Sequence, residues 1–275
     1  MSSQITTAFV EQYSNNVSML SQQKGSVLRD KVDSETVQGK NAFFEQIGSV
    51  AAVKRTSRHG DTPQLDTPHA RRRVSLVDYE YADLIDDQDK IRTLIDPTSS
   101  YALAAAYAMG RAMDDEIISA ATGTAFTGVS GGTSTSLPGG QAITESGTDG
   151  LTIAKLRTAK RTFDLNSVDP SIKRYMVVSP RQIDDLLGTT SVTSADFNTV
   201  RALVTGEVNT FMGFEFIVSN RLSIASSKRL CFAYASDGIK LAVGKDVMSR
   251  IDERADKGYS TQIYYCASFG AARIE

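Results

Sequence analysis

The architecture of this chain turns on IDPTSSYALAAAYAMGRAMDDEIISAATG, residues 95–123. Asp96 suits an N-cap, and Pro97 suits the first helical position, where its missing N–H is no loss and its fixed φ already fits. Gly123 follows the last periodic residue and makes a stop. About 25 residues at 1.5 Å rise give a rod of roughly 38 Å. Ala102, Ala104, Ala105, Ala106, Ala108 and Ala112, with Gly110, keep that rod thin. A thin helix lets neighbouring backbone come close, so the expectation is a long spine lying against a sheet. Gly110 inside it costs about 1 kcal/mol relative to alanine, tolerable at this length.

Working back from the spine, FFEQIGSVAAVK (43–54) and RVSLVDYEYADLI (73–85) both read as extended. In the second, Val77, Tyr79 and Tyr81 alternate with Asp78 and Glu80, the period of a half-buried strand. The segment between them, RHGDTPQLDTPHARRRV (58–74), carries both histidines. The reading is a two-stranded hairpin with a long basic tip. Such a hairpin is marginal alone in water, and no other segment offers obvious cover. Ahead of it, Ile5, Phe9, Tyr13, Val17 and Leu20 form one apolar stripe, predicting a helix. LSQQKGSVLRDKVDSETVQGK (20–40) is polar and reads as an arm with a short strand near Val27 and Leu28.

Beyond the spine, residues 123–150 form a Gly/Ser/Thr-rich link, a flexible loop or loose hairpin. A helix is predicted from Thr152 to Phe163, then a buried strand RYMVVS. Ser179 and Pro180 open another helix. FNTVRALV (197–204) reads as helical and FEFIVS as a strand. RLCFAYA and IKLAVG read as a hairpin around Ser236-Asp237-Gly238, and TQIYYCASFGAARI as a closing strand. Helices and strands mix without a βαβ rhythm, so the class is α+β.

The bulk numbers exclude several functions. With 275 residues, 41% hydrophobic and 23% charged, a sizeable core is expected. A formal net charge of −2 argues against a dedicated polyanion binder. No long apolar run predicts a membrane span, and the N-terminus lacks signal-peptide features. Cys231 and Cys266 fit neither zinc nor redox spacing and read as reduced thiols buried in strands.

Candidate chemical sites fare poorly. His59, Asp61, Asp66 and His69 have the residue types for zinc or iron, but a proline-bearing loop supplies no rigid frame. GVSGG (128–132) matches the G-x-S-x-G pattern around Ser130, without the strand and helix that the elbow requires. AVGKDV (242–247) lacks the rest of a phosphate loop. The acidic run from Asp78 to Asp89 lacks the glycine and final glutamate of a calcium loop. No catalytic residue, cofactor or metal is expected. One feature stands: a basic tip with Arg58, Arg71, Arg72 and Arg73 beside an acidic shoulder with Asp78, Glu80, Asp83, Asp86 and Asp87. Between copies of the chain these could pair through bidentate arginine contacts. Such a contact is heterologous, and repeated it closes a ring.

The order of parts resembles the major capsid proteins of tailed bacteriophages, the Hong Kong 97 fold. FVEQYSNNVSMLSQQKGSVLRDKV (9–32) looks like an N-terminal arm of that family. Residues 67–120 look like the end of its extended loop, the lead-in to its spine helix and the helix itself. VVSPRQIDDLL (177–187) and GFEFIVSNRL (213–222) resemble its axial-domain segments. The resemblance implies an arm over residues 1–40 and an extended loop over 41–86. It implies a peripheral domain with the spine over 87–150, an axial domain over 151–242, and a C-terminal return over 243–275. It also implies pentamers and hexamers of an icosahedral shell enclosing double-stranded DNA, assembled in the bacterial host cytoplasm and carried in the virion. The implied partners are other copies, a separate scaffolding protein, a portal, a decoration protein, and DNA touched without sequence preference, with no membrane. Three rivals are an encapsulin-like shell around protein cargo, a hydrolase using the His/Asp loop or Ser130, and a free nucleic-acid-binding module.

Overall fold

The computed structural model describes residues 22–86, 98–143, 150–188, 210–225 and 228–274. The predicted helices over 5–20 and 197–204, the Asp96–Pro97 cap, and Asp87 and Asp89 lie outside these residues. In chain order the strands are β1 (Asp33–Thr36), β2 (Asn41–Ile47), β3 (His69–Ser75), β4 (Val77–Ile85), β5 (Ala125–Thr127), β6 (Thr133–Thr135), β7 (Arg174–Val178), β8 (Thr210–Phe211), β9 (Phe214–Val218), β10 (Ile224–Ala225), β11 (Lys228–Arg229), β12 (Phe232–Ala235), β13 (Ile239–Arg254) and β14 (Ser260–Arg273). The helices are α1 (Thr98–Thr122), α2 (Ile153–Leu165) and α3 (Pro180–Gly188).

The spine is present as α1, 25 residues long. Ala105, Met109, Met113, Ile117, Ile118 and Ala121 make its buried stripe at helical spacing. That stripe packs on a sheet of order β1-β13-β14-β4, against Leu241, Val243, Ala267 and Phe269. Tyr79 of β4 stacks on Phe269, with ring centroids 4.7 Å apart. Gly110 has a reason beyond thinness: a Cβ there would overlap the backbone of Gly25 and Ser26, where the arm crosses the helix.

A second sheet has order β12-β7-β9-β8. All five residues of β7 are buried, because the sheet lies between two cores. Tyr175 and Val177 face the spine's core, while Met176 and Val178 face a separate core with Leu156 of α2 and Leu186 of α3. A strand covered on both faces reads as an unbroken apolar run, which is what YMVV shows. Thr152 caps α2, its side chain accepting from the Lys155 N–H at 3.4 Å. At α3, Gln182 reaches back to accept from the Ser179 N–H at 3.1 Å.

The third sheet has order β2-β3-β5-β6 and contains a correction to the predicted hairpin. β2 pairs with β3 from Asn41↔Ser75 to Ile47↔His69. The extended chain then changes sheets at Leu76, and β4 pairs with β14 instead, from Phe269↔Val77 to Thr261↔Ile85. Gly270 permits the change: a Cβ there would overlap the Ser75 carbonyl. Residues 48–68 form no strand, so the run predicted as extended to Lys54 stops at Ile47. β12 and β13 do not pair with each other as the predicted hairpin requires; β12 lies on β7 and β13 on β14. The Gly-rich link folds in part as the β5–β6 hairpin on the edge of β3. Val27 and Leu28 are not in a strand; a 3-10 turn over Arg29–Lys31 follows them.

Candidate functional site

The β2–β3 ribbon is anchored at its base by a small apolar cluster and along β3 by pairing with β5. Ala42, Phe44 and Val74 pack on Ala242 and Ala272. The outward row of its strands carries Phe43, Glu45 and Ile47 opposite Arg73, Arg71 and His69. Arg71 donates from Nε to Glu45 at 2.6 Å and from Nη1 to the Val129 carbonyl at 3.2 Å, and its guanidinium lies over Phe43. Arg72 donates from Nε to the Ile274 carbonyl at 3.1 Å. Arg73 stacks over Phe126, 4.8 Å from its centroid. Three of the four predicted contact arginines are thus engaged within their own chain, where they stiffen the ribbon. The fourth, Arg58, lies exposed in the tip.

Every residue from Gly48 to Pro68 is exposed. The tip includes Val50 at 57%, Val53 at 56% and Leu65 at 51% exposure, next to Ile47 at 69%. These side chains find no cover within their own chain.

The acidic shoulder divides by strand parity. Asp78, Glu80, Ala82 and Leu84 form the outer, exposed face of β4, while Tyr79, Tyr81 and Ile85 turn inward. Glu80 accepts from the Tyr264 hydroxyl at 3.0 Å, and that bond holds the phenol well above its usual pKa. Asp83 falls on the inner face and accepts from its own neighbour Leu84 N–H at 2.9 Å. Asp86 is exposed at the strand end.

His59, Asp61 and Asp66 lie in the exposed tip, and His69 begins β3. Among the described residues, no three His, Cys, Asp or Glu side chains gather as a metal site. Ser130 sits in the β5–β6 turn, where the Gly131 N–H donates to the Gly128 carbonyl at 2.9 Å, so GVSGG is a hairpin turn and not a strand-to-helix elbow. The two thiols are free and half-buried; burial pushes the Cys231 thiol up. No helix among the described residues is long and apolar enough to cross a membrane.

Sequence reasoning missed the polar anchors of the spine. Asp114 is 1% exposed. Its carboxylate accepts from Gln23 Nε2 and Ser26 Oγ, each at 2.5 Å, and from the Val27 and Leu28 N–H groups at 3.1 Å. The next two carboxylates diverge around the helix. Asp115 pairs with Arg221, beyond β9, and Glu116 accepts from the Tyr79 hydroxyl of β4. Burial, then that hydrogen bond, raises the Tyr79 pKa. Arg273, 5% exposed, donates to the Ala121 and Gly123 carbonyls at 3.2 and 2.9 Å and so satisfies the C-terminus of α1. The available signal was Asp114 itself, an acid in the i+4 row Gly110–Asp114–Ile118 beside a buried apolar stripe.

The arm is strapped down further by Lys31 on Glu215 at 2.5 Å, Arg29 on Asp246 at 2.8 Å and Asp33 on Lys240 at 3.0 Å. β1 adds parallel pairing with β13. A spine helix on one sheet, a second sheet between two cores, a strapped arm and a ribbon bare at its tip make up the described residues.

The chain belongs to the phage capsid protein family: a family model with that description matches residues 5–275. Solved structures of the same fold include the capsid of the cyanophage P-SCSP1u, at TM-score 0.72 and 19% identity, covering 98% of this chain and 90% of that one. The capsid of the cyanophage Pam1 is similar at TM-score 0.69 and 14% identity, over 98% and 93%. A chain from Mycobacterium phage Che8 is similar at 0.66 and 14%, over 97% and 94%. No curated protein sequence is similar enough to count as a relative. With the family and the fold in hand, the chain is a phage capsid protein.

Proposed function

We propose that the chain is a purely structural tile, with no catalytic step, that assembles into pentamers and hexamers of an icosahedral shell around double-stranded DNA. The observation that carries this reading is the ribbon: every residue from Gly48 to Pro68 is exposed, and Val50, Val53 and Leu65 among them are each more than half bare. A neighbouring copy supplies its cover, and Arg58 rides with it. In this reading α1 with the β1-β13-β14-β4 sheet is the peripheral part, at the borders between capsomers. The β12-β7-β9-β8 sheet with α2 and α3 is the axial part, at the ring centre. Assembly takes place in the host cytoplasm with a separate scaffolding protein and a portal; a decoration protein binds the outside. DNA contact is loose, consistent with a net charge of −2.

Electron microscopy of the overexpressed protein, with and without co-expressed scaffold, tests the reading. Closed particles of uniform size are expected. A soluble monomer under both conditions sinks it, and particles filled with protein cargo instead of DNA favour the encapsulin-like alternative.

A further inference from the structure

α2 presents a shallow concavity of about 670 Å³ on its outer side, lined by Arg157, Lys160, Arg161, Leu165 and Met212. The three cations are exposed and have no partner among the described residues. The carboxylate beside them, Asp164, is already held by the buried Arg174 at 2.8 Å. Leu165, at 74% exposure, sits on the rim. The surface therefore calls for an occupant that is acidic and partly apolar. A DNA backbone is acidic but offers nothing to cover Leu165 and Met212.

The outer face of β4 has both properties. Asp78 and Glu80 are exposed there, with Ala82 and Leu84 further along the same face, Leu84 at 44% exposure. Glu80 has one oxygen on the Tyr264 hydroxyl and the other free of any bond among the described residues. Two residues along a strand span about 6.8 Å, and the four residues from Arg157 to Arg161 span about 6 Å along a helix. Two carboxylates can therefore meet two guanidiniums in register, each pair bidentate. Both surfaces are open to solvent in the single chain, so they do not meet within it.

We infer that the α2 concavity of one copy receives the Asp78–Glu80 face of β4 from the next copy. This rests on the shell reading above and reassigns the basic half of the subunit contact, since Arg71, Arg72 and Arg73 are engaged at home. The two surfaces differ, so the contact is heterologous and repeats head to tail around a ring.

A charge swap tests it. R157E/K160E/R161E and D78R/E80R should each cut the yield of closed particles at least about tenfold, because like charges then face each other. The soluble subunits should keep their circular dichroism and melting temperature. The chain carrying both sets should assemble again. Wild-type yield from R157E/K160E/R161E overturns the inference. So does a combined variant no better than either parent, and so do normal-sized particles that merely lack DNA, which would place the concavity against the genome. Should the reversed chain lose its folded signal, R157Q/K160Q/R161Q decides, and wild-type yield again overturns the inference. Failure of the wild-type chain to form any particle would instead mark failure of the shell reading.

Discussion

The arm and the ribbon leave the body within a few residues of each other, and each gives a few side chains to a core, Leu28 and Val32 from the arm and Ala42, Phe44 and Val74 from the ribbon. Their fates differ. The arm, residues 22–37, finds its partners in its own chain: a buried carboxylate on α1, ion pairs to Glu215, Asp246 and Lys240, and a ladder with β13. The ribbon is fixed at its base by a small apolar cluster and left bare beyond Ile47. The arm shows that an extended segment can be held by polar groups if each one is satisfied. The ribbon shows an extended segment whose outer part, residues 48–68, finds no cover on its own chain.

Breaking the contrast at the ribbon should have the largest effect on function and almost none on the subunit. V50S/V53S/L65S is expected to abolish closed particles in electron micrographs while changing subunit stability by less than about 0.5 kcal/mol, as for other exposed sites. A large drop in subunit stability would mean that the tip folds against its own chain.

At the arm the order reverses. Asp114→Ala leaves the Val27 and Leu28 N–H groups and Ser26 without their acceptor in a buried place. A loss of about 3 kcal/mol in denaturant unfolding is expected, with early proteolysis near residues 22–37. Gly110→Ala should destabilise by about 1–3 kcal/mol, since the arm backbone must move aside. That outcome opposes the gain of about 1 kcal/mol that alanine gives an ordinary helix interior. A stabilised variant would show that the arm does not press on α1.

The smallest effect concerns pH. The hydrogen bond from Arg29 holds the Asp246 carboxyl below its usual value, so through the acid range the unfolded chain binds more protons there. The pair's contribution is complete above the ordinary carboxylate pKa and is lost as pH falls through the lowered one. Both partners are well exposed, so it amounts to at most about 1 kcal/mol. Stability–pH curves of wild type and Arg29→Ala should differ near neutrality and merge in acid. Parallel curves would remove the assignment.

Much of the architecture was legible in the residues. The alanine-rich run from Ala102 to Ala112 and the stop at Gly123 gave the spine, Ser179-Pro180 and Thr152 gave two helix starts, and the run at 174–179 gave a buried strand. The ribbon was visible as alternation, and its need for cover followed from its thinness. Pairing was less legible. RVSLVDYEYADLI reads as one strand because its alternation does not break at Leu76, yet the chain crosses there from one sheet to another, through space that only Gly270 leaves open. The basic tip looked free because sequence shows charge and hides engagement: Arg71 and Arg73 lie on Phe43 and Phe126, residues far away in order and adjacent in the sheet.

By itself the sequence determined the period and length of the elements, the α+β class and the family likeness, because these rest on local spacing and composition. Tertiary structure alone decided which strands share a sheet, which carboxylates are buried anchors and which cations remain open on the surface. Those outcomes depend on what lies within a few ångströms in space, and residues such as Asp114 and Leu28, or Arg273 and Ala121, are brought that close only when the whole chain has packed.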